Sequence, residues 1–495
     1  MSKLKNREKN TSSHTELKKA YMPIYPMIQT PQKGNGSSAL RSRSIPISTP
    51  RPVKLKEFKL QTNFAVKAHN LDGWKISKGV SKNANVFLIM GDYPDLRQAL
   101  IERGWVENTD KNSLVFNLVW ARSAKVPSKL QEDQIINHFP RNFELSCKWN
   151  FCENIKKIKK LYDVDYNTFF PRCYRMIGKD YEEFCDMFKT YKALSILKSY
   201  SSLKGGCYEK VMTALNVVKR WMHFIEKNIK VDYDRSLNLI HSNEWKILNS
   251  NNAHEVVNEF QKYNTGKIST QPNSLSQLVD ETLEKLSDLD PQMDVCGNKN
   301  VWIVKPGSKS RGRDIMVFSN IEEIKSYTQN SQKWVVQKYI ENPLLIQNKK
   351  FDIRQWILVT NSEPVTIWIY SSSYLRFSVE NYDVGNLSNK FSHLTNNSIS
   401  KYSKKFGASE NGCMWHTSQL IDYIRERYNK DYWRESILPK IKDIVKWSVL
   451  SAGYLGRKNC IELFGYDFMI DNALKPWLIE INSSPALDYS TVISI

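Results

Sequence analysis

GYDFMIDNALKPWLIEINSSP, residues 465–485, reads as two short strands joined by a turn. Asp467 lies on the first strand, and Glu480 and Asn482 lie two apart on the second. Side chains alternate across a strand, so Glu480 and Asn482 project to one face while Ile479 and Ile481 project to the other. A carboxylate on one strand beside a carboxylate and an amide on its neighbour forms an all-oxygen cluster. Such clusters suit Mg²⁺, which takes hard oxygen ligands and shares them with substrate phosphates. On this stretch alone, a half-exposed hairpin with polar residues facing water explains the pattern equally well.

Upstream, Val301–Val304 reads as a buried strand ending in Lys305, followed by the loop Gly307-Ser308-Lys309-Ser310-Arg311-Gly312-Arg313. Glycines, serines and cations in one turn can wrap phosphate with backbone N–H groups and neutralise it with side chains. A basic surface turn is the plainer alternative. It is not a Walker loop, because Arg313-Asp314 stands where Lys-Ser/Thr is required. The next strand runs over residues 333–340; its end, Gln337-Lys338-Tyr339-Ile340, can offer backbone groups and an apolar wall to a base, or be ordinary core. Lys350, Asp352 and Arg354 share one face of a further strand, with Phe351 and Ile353 on the other. Buried charges need partners, and a polyanion with a metal would supply them. Arg376, between Tyr374 and Phe377, reads as a snorkelling arginine or as a bidentate clamp on a carboxylate. His393-Leu394-Thr395-Asn396-Asn397 is a short polar segment or a helix cap.

A net charge of +21 favours an acidic partner: nucleic acid, a membrane face or an acidic protein surface. Eight cysteines are scattered without a CxxC pair, which points to free thiols in a reducing compartment. The N-terminus MSKLKNREKN lacks the apolar core of a signal peptide, and no long apolar run occurs. The expectation from these features is a chain in the cytosol or on the cytoskeleton, with entry to the nucleus left open.

Residues 1–84 read as a disordered basic tail interrupted by prolines. Order is expected from Asn85, where the apolar run Val86–Met90 begins a strand–turn–helix start to an α/β subdomain at 85–204. A strand over 114–120 and helices over 134–139, 151–162 and 180–203 follow. Residues 205–300 read as a helical insert, and 301–495 as a strand-rich core. Within that core, a helical stretch over 417–452 is split at Pro439, which can start a helix but not sit inside one.

The motifs KPGSKSRGR, QKYI, KFDIR, YLRFS, HLTNN, YDFMID and WLIEINSSP, in this order over 301–485, resemble the ATP-grasp core of the tubulin–tyrosine ligase-like family. The stretches NVFLIMGDYPDLRQALIERGWVE, QIINHFPRNFELSCKWNFCENI and NTFFPRCYRM, with KFDIRQWILVT and IWIYSSSYLRFS, are similar to its tubulin glycylase branch. The resemblance implies an α/β ATP-grasp fold and an ATP- and Mg²⁺-dependent ligase. Such an enzyme joins free glycine to glutamates of tubulin C-terminal tails through an acyl phosphate. Carried over residue by residue, Lys305 would hold the phosphates, and Ser310, Arg311, Gly312 and Arg313 would close over them. Gln337, Lys338, Tyr339 and Ile340 would line the adenine, and Lys350, Phe351 and Asp352 would reach base and ribose. Thr395 and Asn396 would contact the nucleotide. Arg354 and Arg376 would join Lys305 in catalysis, facing γ-phosphate, acceptor carboxylate or incoming amino acid. Asp467, Glu480 and Asn482 would hold Mg²⁺.

Two departures stand out. The family loop continues SRGRG, and here Asp314 takes the place of the last glycine. The chain also ends ten residues after Pro485, where more helix is expected to back the hairpin. The alternatives are a glutamylase, a chain-elongating polyglycylase, or a catalytically silent microtubule-binding protein. No recognised nucleic-acid motif appears. The expectation is a monomer acting on microtubules, in the cytoplasm and in the axoneme of a cilium or flagellum, with no membrane or nucleic-acid partner.

Overall fold

The computed structural model describes residues 25–29, 70–122, 130–203, 205–228, 239–250, 273–330, 332–404 and 414–485. Within the expected tail, strand β1 (Tyr25–Gln29) and a helix, Leu71–Ser77, are formed, the helix capped by Asn70. Residues 1–24 and 30–69 of that tail lie outside the described residues. Proline suits β1 because β1 sits at a sheet edge, where one side of the strand needs no partner.

The first sheet is parallel: β2 (Val86–Met90), β3 (Val106–Glu107), β4 (Leu118–Ala121) and β5 (Ile135–Ile136), in the order β3-β2-β4-β5. The helix Pro94–Glu102 follows β2, as the strand–turn–helix pattern expects. The expected helix over 134–139 is instead β5 and a loop. Its residues are held by distant groups rather than by a local turn: His138 Nδ1 lies 3.0 Å from Glu462 Oε1, and the Phe139 amide donates to Glu462 Oε2 at 2.9 Å.

The second sheet is antiparallel: β6 (Cys173–Arg175), β7 (Trp302–Pro306), β8 (Met316–Phe318) and β9 (Trp334–Lys338), ordered β6-β9-β7-β8. Helices Gly178–Leu203, Tyr208–Asn228 and Asn273–Leu289 cover one of its faces. Trp302, Val304, Trp334 and Val336 share a core with Leu194, Leu215, Val279 and Leu286 of those helices. The 205–300 helices are therefore the outer layer of this sheet. The opposite parity of β7 and β9 puts Lys305 and Gln337 on the other face.

The third sheet contains β10 (Leu345–Ile346), β11 (Lys349–Ser362), β12 (Val365–Phe377), β13 (Met414–His416), β14 (Glu462–Ile470) and β15 (Pro476–Ser483). Its main path is β1-β12-β11-β14-β15. Helices Thr417–Tyr428 and Leu438–Ser451 pack Leu420, Ile424, Ile441 and Val445 on Ile353, Ile357, Val359 and Ile369. The break between them falls at Asn429, in the left-handed region at φ 51°, and Pro439 occupies the first turn of the second helix. With that face apolar and covered, alternation sends Lys350, Asp352, Arg354, Arg376, Asp467 and Glu480 to the opposite face, toward the second sheet.

Candidate active site

Backbone register places the charges in one row across four strands. Asp352 pairs with Arg376, Arg354 with Asp467, and Asp467 with Glu480, while Gly465 pairs with Asn482. Arg354 grips Asp467 through Nε at 2.5 Å and Nη2 at 3.1 Å. Arg376 grips Asp352 through Nε at 2.7 Å and Nη2 at 2.6 Å, and its Nη2 also reaches Asp467 Oδ2 at 3.0 Å. Thr395 donates to Asp352 Oδ2 at 2.6 Å. Asn482 Nδ2 bridges Asp467 Oδ2 at 3.2 Å and Glu480 Oε1 at 3.1 Å. The row is thus a chain of charge-assisted hydrogen bonds. Gly465 makes room for it: a Cβ there would stand 3.2 Å from Arg354 Nη1 and 3.0 Å from Pro485 Cβ.

The second sheet contributes Lys305. Its Nζ donates to Gln337 Oε1 at 2.7 Å and reaches the Ile479 carbonyl at 3.4 Å, so β7 and β15 face each other across this point. Lys148, on the helix Lys148–Asn154, pairs with Glu480 Oε2 at 3.0 Å and donates to the Lys309 carbonyl at 3.3 Å. The sequence reading did not single out Lys148. Burial pushes the Glu480 carboxyl up, but the charges of Lys148 and Lys305 outweigh this and hold it well below the usual carboxylate range. Burial, partly offset by Glu480, brings Lys305 down to about 8.

Lys350 lies at the other end of the row. Its Nζ donates to the Tyr339 hydroxyl at 2.8 Å and to the His393 carbonyl at 3.1 Å. Burial, partly offset by Asp352, brings it down to about 7. His393, whose Nδ1 lies 2.8 Å from the same hydroxyl, is brought by burial and by the Lys350 charge down to about 4, so it is neutral at pH 7.

The side chains of two residues expected at the nucleotide point elsewhere. Lys338 shares its parity with Trp334 and Val336, so its side chain runs to the helix-covered face. There it donates to Glu341 Oε1 at 2.6 Å and the Val301 carbonyl at 2.7 Å, and lies 5.6 Å from the centres of the Trp302 and Tyr191 rings. Phe351 has the parity of Ile353 and packs on Phe377 in the core. Ile340 lies in an apolar cluster with Met469, Trp477 and Ile479, beside the hairpin. Arg354, Arg376 and Asp352 find their first partners inside the protein, so a polyanion is not needed to satisfy them.

The glycine–arginine loop folds onto the 395–399 segment. Ser398 Oγ donates to the Arg311 carbonyl at 3.0 Å, and a Cβ on Gly312 (φ +69°) would collide with Ile399 and stand 3.3 Å from Asn396 Oδ1. Arg313 bonds back to the Ser310 carbonyl at 3.3 Å. Asp314 takes φ 56°, a left-handed conformation that suits the glycine it replaces. Its carboxylate is exposed and pairs with Lys309 at 2.6 Å, so its charge is spent within the loop.

Asp467, Glu480 and Asn482 fit Mg²⁺. Both carboxylates are hard oxygen donors already held by cations, Asp467 by Arg354 and Arg376 and Glu480 by Lys148, so a metal would share their oxygens with these partners, and a half-turn of the Asn482 amide would present Oδ1 in place of Nδ2. Lys148, Lys305, Lys350, Arg354 and Arg376 exceed the nearby carboxylates of Asp352, Asp467 and Glu480 in number, so the cleft suits a polyanion.

Comparison with known proteins fits this geometry. The chain is 34% identical over 490 residues to tubulin glycylase 3C of Tetrahymena thermophila, covering 86% of this chain and 46% of that protein. It is 31% identical to mouse protein monoglycylase TTLL8 (86% of this chain, 61% of the relative) and 31% identical to human tubulin monoglycylase TTLL3 (83% and 61%). The chain spans about half the length of the first of these relatives. The profile of the tubulin-tyrosine ligase family matches residues 227–494, more than half of the sequence and all of the strands that carry the charged row. The chain belongs to the tubulin-tyrosine ligase family.

Proposed function

We propose that this chain is an ATP- and Mg²⁺-dependent ligase that joins glycine to glutamate γ-carboxylates in tubulin C-terminal tails, acting on microtubules and the axoneme. The observation that carries this reading is the charged row converging with Lys305 and Lys148 in one cleft, in a chain similar to tubulin glycylases.

In this reading Lys148 and Lys305 keep Glu480 ionised and take phosphate oxygens themselves. Asp467, Glu480 and Asn482 would hold Mg²⁺, which supplies charge neutralisation on the transferring phosphoryl group. Arg354 and Arg376, locked by Asp467 and Asp352, present the remaining face of their guanidinium groups to the acceptor. An acceptor carboxylate oxygen attacks the γ-phosphorus, the bond to the β–γ bridging oxygen breaks, and ADP leaves. The glycine amine then attacks the acyl carbon, the carbon–oxygen bond to phosphate breaks, and the nitrogen loses a proton. A free carboxylate is a poor acylating agent, so phosphorylation supplies the leaving group. Fixed charges aimed at the developing phosphoryl charge do the rest. The net charge of +21 draws an acidic tail toward the protein.

Incubation with tubulin, Mg-ATP and labelled glycine or glutamate tests this. Glycine label on tail glutamates is expected; label from glutamate alone, or from neither, would refute it.

The depressed Lys350 gives a pH signature. Without nucleotide it loses its proton near pH 7, whereas in an unfolded chain it does so near 10.4. Between those values the unfolded chain binds more protons, so this lysine penalises folding as the pH falls from about 10 to 7. The negative charge of a nucleotide bound in the same cleft favours the ammonium form, so nucleotide binding takes up a proton at pH 7–8. Affinity should weaken roughly 30-fold between pH 6 and 8.5 if the bound lysine stays charged. Calorimetry in buffers of different ionisation enthalpy checks the uptake, and Lys350→Met should remove most of it, leaving the smaller uptake of Lys305.

A further inference from the structure

The face of the third sheet that carries Arg354 and Arg376 does not end with them. Trp356 follows Arg354 on the same side of β11, since β11 pairs with β14 without a break from Ile353 to Val359. Tyr374 pairs directly with Arg354 across β12, and Tyr370 lies further along that strand. The three rings touch: Trp356 and Tyr370 centres are 5.7 Å apart, and Trp356 and Tyr374 meet edge-on at 6.4 Å. All three are half-buried, whereas Ile353, Ile357 and Ile369 on the opposite face are buried under helices. Register shifts between β11 and β12 at this point give Trp356 no single residue opposite it on β12. One feature of the platform is unsatisfied. Trp356 Nε1 is shielded from solvent and has no hydrogen-bond partner, one of four such buried side-chain atoms among the described residues. A shielded donor left unpaired is costly, and buried indole N–H groups ordinarily find an acceptor.

We propose that Trp356, with Tyr370 and Tyr374, is the subsite that seats the acceptor peptide, the half-buried indole turning on binding so that its N–H, shielded and unpaired in the unliganded protein, donates to an oxygen of an extended, glutamate-rich chain. This rests on the ligase reading above. The platform adjoins the two arginines that would face the acceptor carboxylate, on a protein of net charge +21, so the occupant it fits is acidic. Flat aromatic rings can support a mobile peptide backbone without demanding one sequence, while the single donor fixes its register. Trp356 is a specificity and positioning residue here and takes no part in bond making.

The test uses Trp356→Phe, which keeps an aromatic ring and removes only the donor and part of the surface. With a glutamate-rich peptide and a non-hydrolysable ATP analogue, peptide affinity followed by fluorescence anisotropy should fall roughly tenfold. Nucleotide affinity should not fall, and the unfolding midpoint should move little, since the packing lost with the smaller ring is offset by removal of an unpaired donor. In glycine transfer the change should appear in KM for the acceptor and not in kcat. Equal peptide affinity for wild type and variant, or no binding to the wild type, would overturn the proposal. A wild type that binds peptide through Trp356 yet transfers no glycine would overturn the ligase reading and leave the subsite standing.

Discussion

Glu480→Gln should lower ATP-dependent glycine transfer by about 10²–10³-fold, measured as kcat with labelled glycine under saturating nucleotide. The substitution keeps the shape and an oxygen donor but removes the charge. In the wild type that charge is fixed by Lys148 at 3.0 Å and by the nearby Lys305, which hold the carboxyl well below the usual carboxylate range. A neutral amide binds Mg²⁺ far less well and leaves two cations facing each other. The free protein should lose stability as well, because removing one member of a buried pair strands the other. The two effects separate experimentally: lost stability alone would be recovered by lowering the temperature, whereas lost metal and phosphate binding would not.

Arg376→Met should destabilise the protein by about 3–5 kcal/mol in denaturant unfolding and abolish transfer. Arg376 is the only described residue that touches both Asp352 and Asp467 among the ion pairs of this site. Its loss leaves Asp352 with Thr395 alone, and leaves Asp467 to Arg354 and Asn482. The double variant Asp352→Asn/Arg376→Met removes both charges of that pair and should recover much of the stability while remaining inactive. Recovery of activity in the double variant would show that Arg376 serves only to neutralise Asp352.

Much of the site was legible from strand alternation, which fails at one point: a register shift in β15 takes Ile479, expected beside Ile481, away from the helix-covered core and packs it with Ile340, Met469 and Trp477. Alternation put Lys350, Asp352 and Arg354 on one face, and Glu480 and Asn482 together beside Asp467, as they stand in the fold. The same rule applied to Lys338 and Phe351 assigns them to covered faces, which the motif resemblance alone had overridden. What alternation cannot give is register between distant strands. That Arg354 meets Asp467, and that Arg376 meets Asp352, depends on how β11 aligns with β12 and β14, and this is set by packing over the whole sheet. Lys148 was invisible for a related reason. On its short helix it resembles any surface lysine, and only the approach of that helix to β15 makes it the partner of Glu480. The stretch 134–139 misled because its apolar spacing reflects contacts with Glu462 and β4, made from far along the chain, and not a helical turn.

The most direct check is electron paramagnetic resonance of Mn²⁺, standing in for Mg²⁺, titrated into wild type and the Asp467→Asn/Glu480→Gln variant with a non-hydrolysable ATP analogue. One nucleotide-dependent Mn²⁺ site in the wild type, absent from a folded variant, is the predicted result. The same Mn²⁺–nucleotide signal in both proteins would mean that these carboxylates do not hold the metal.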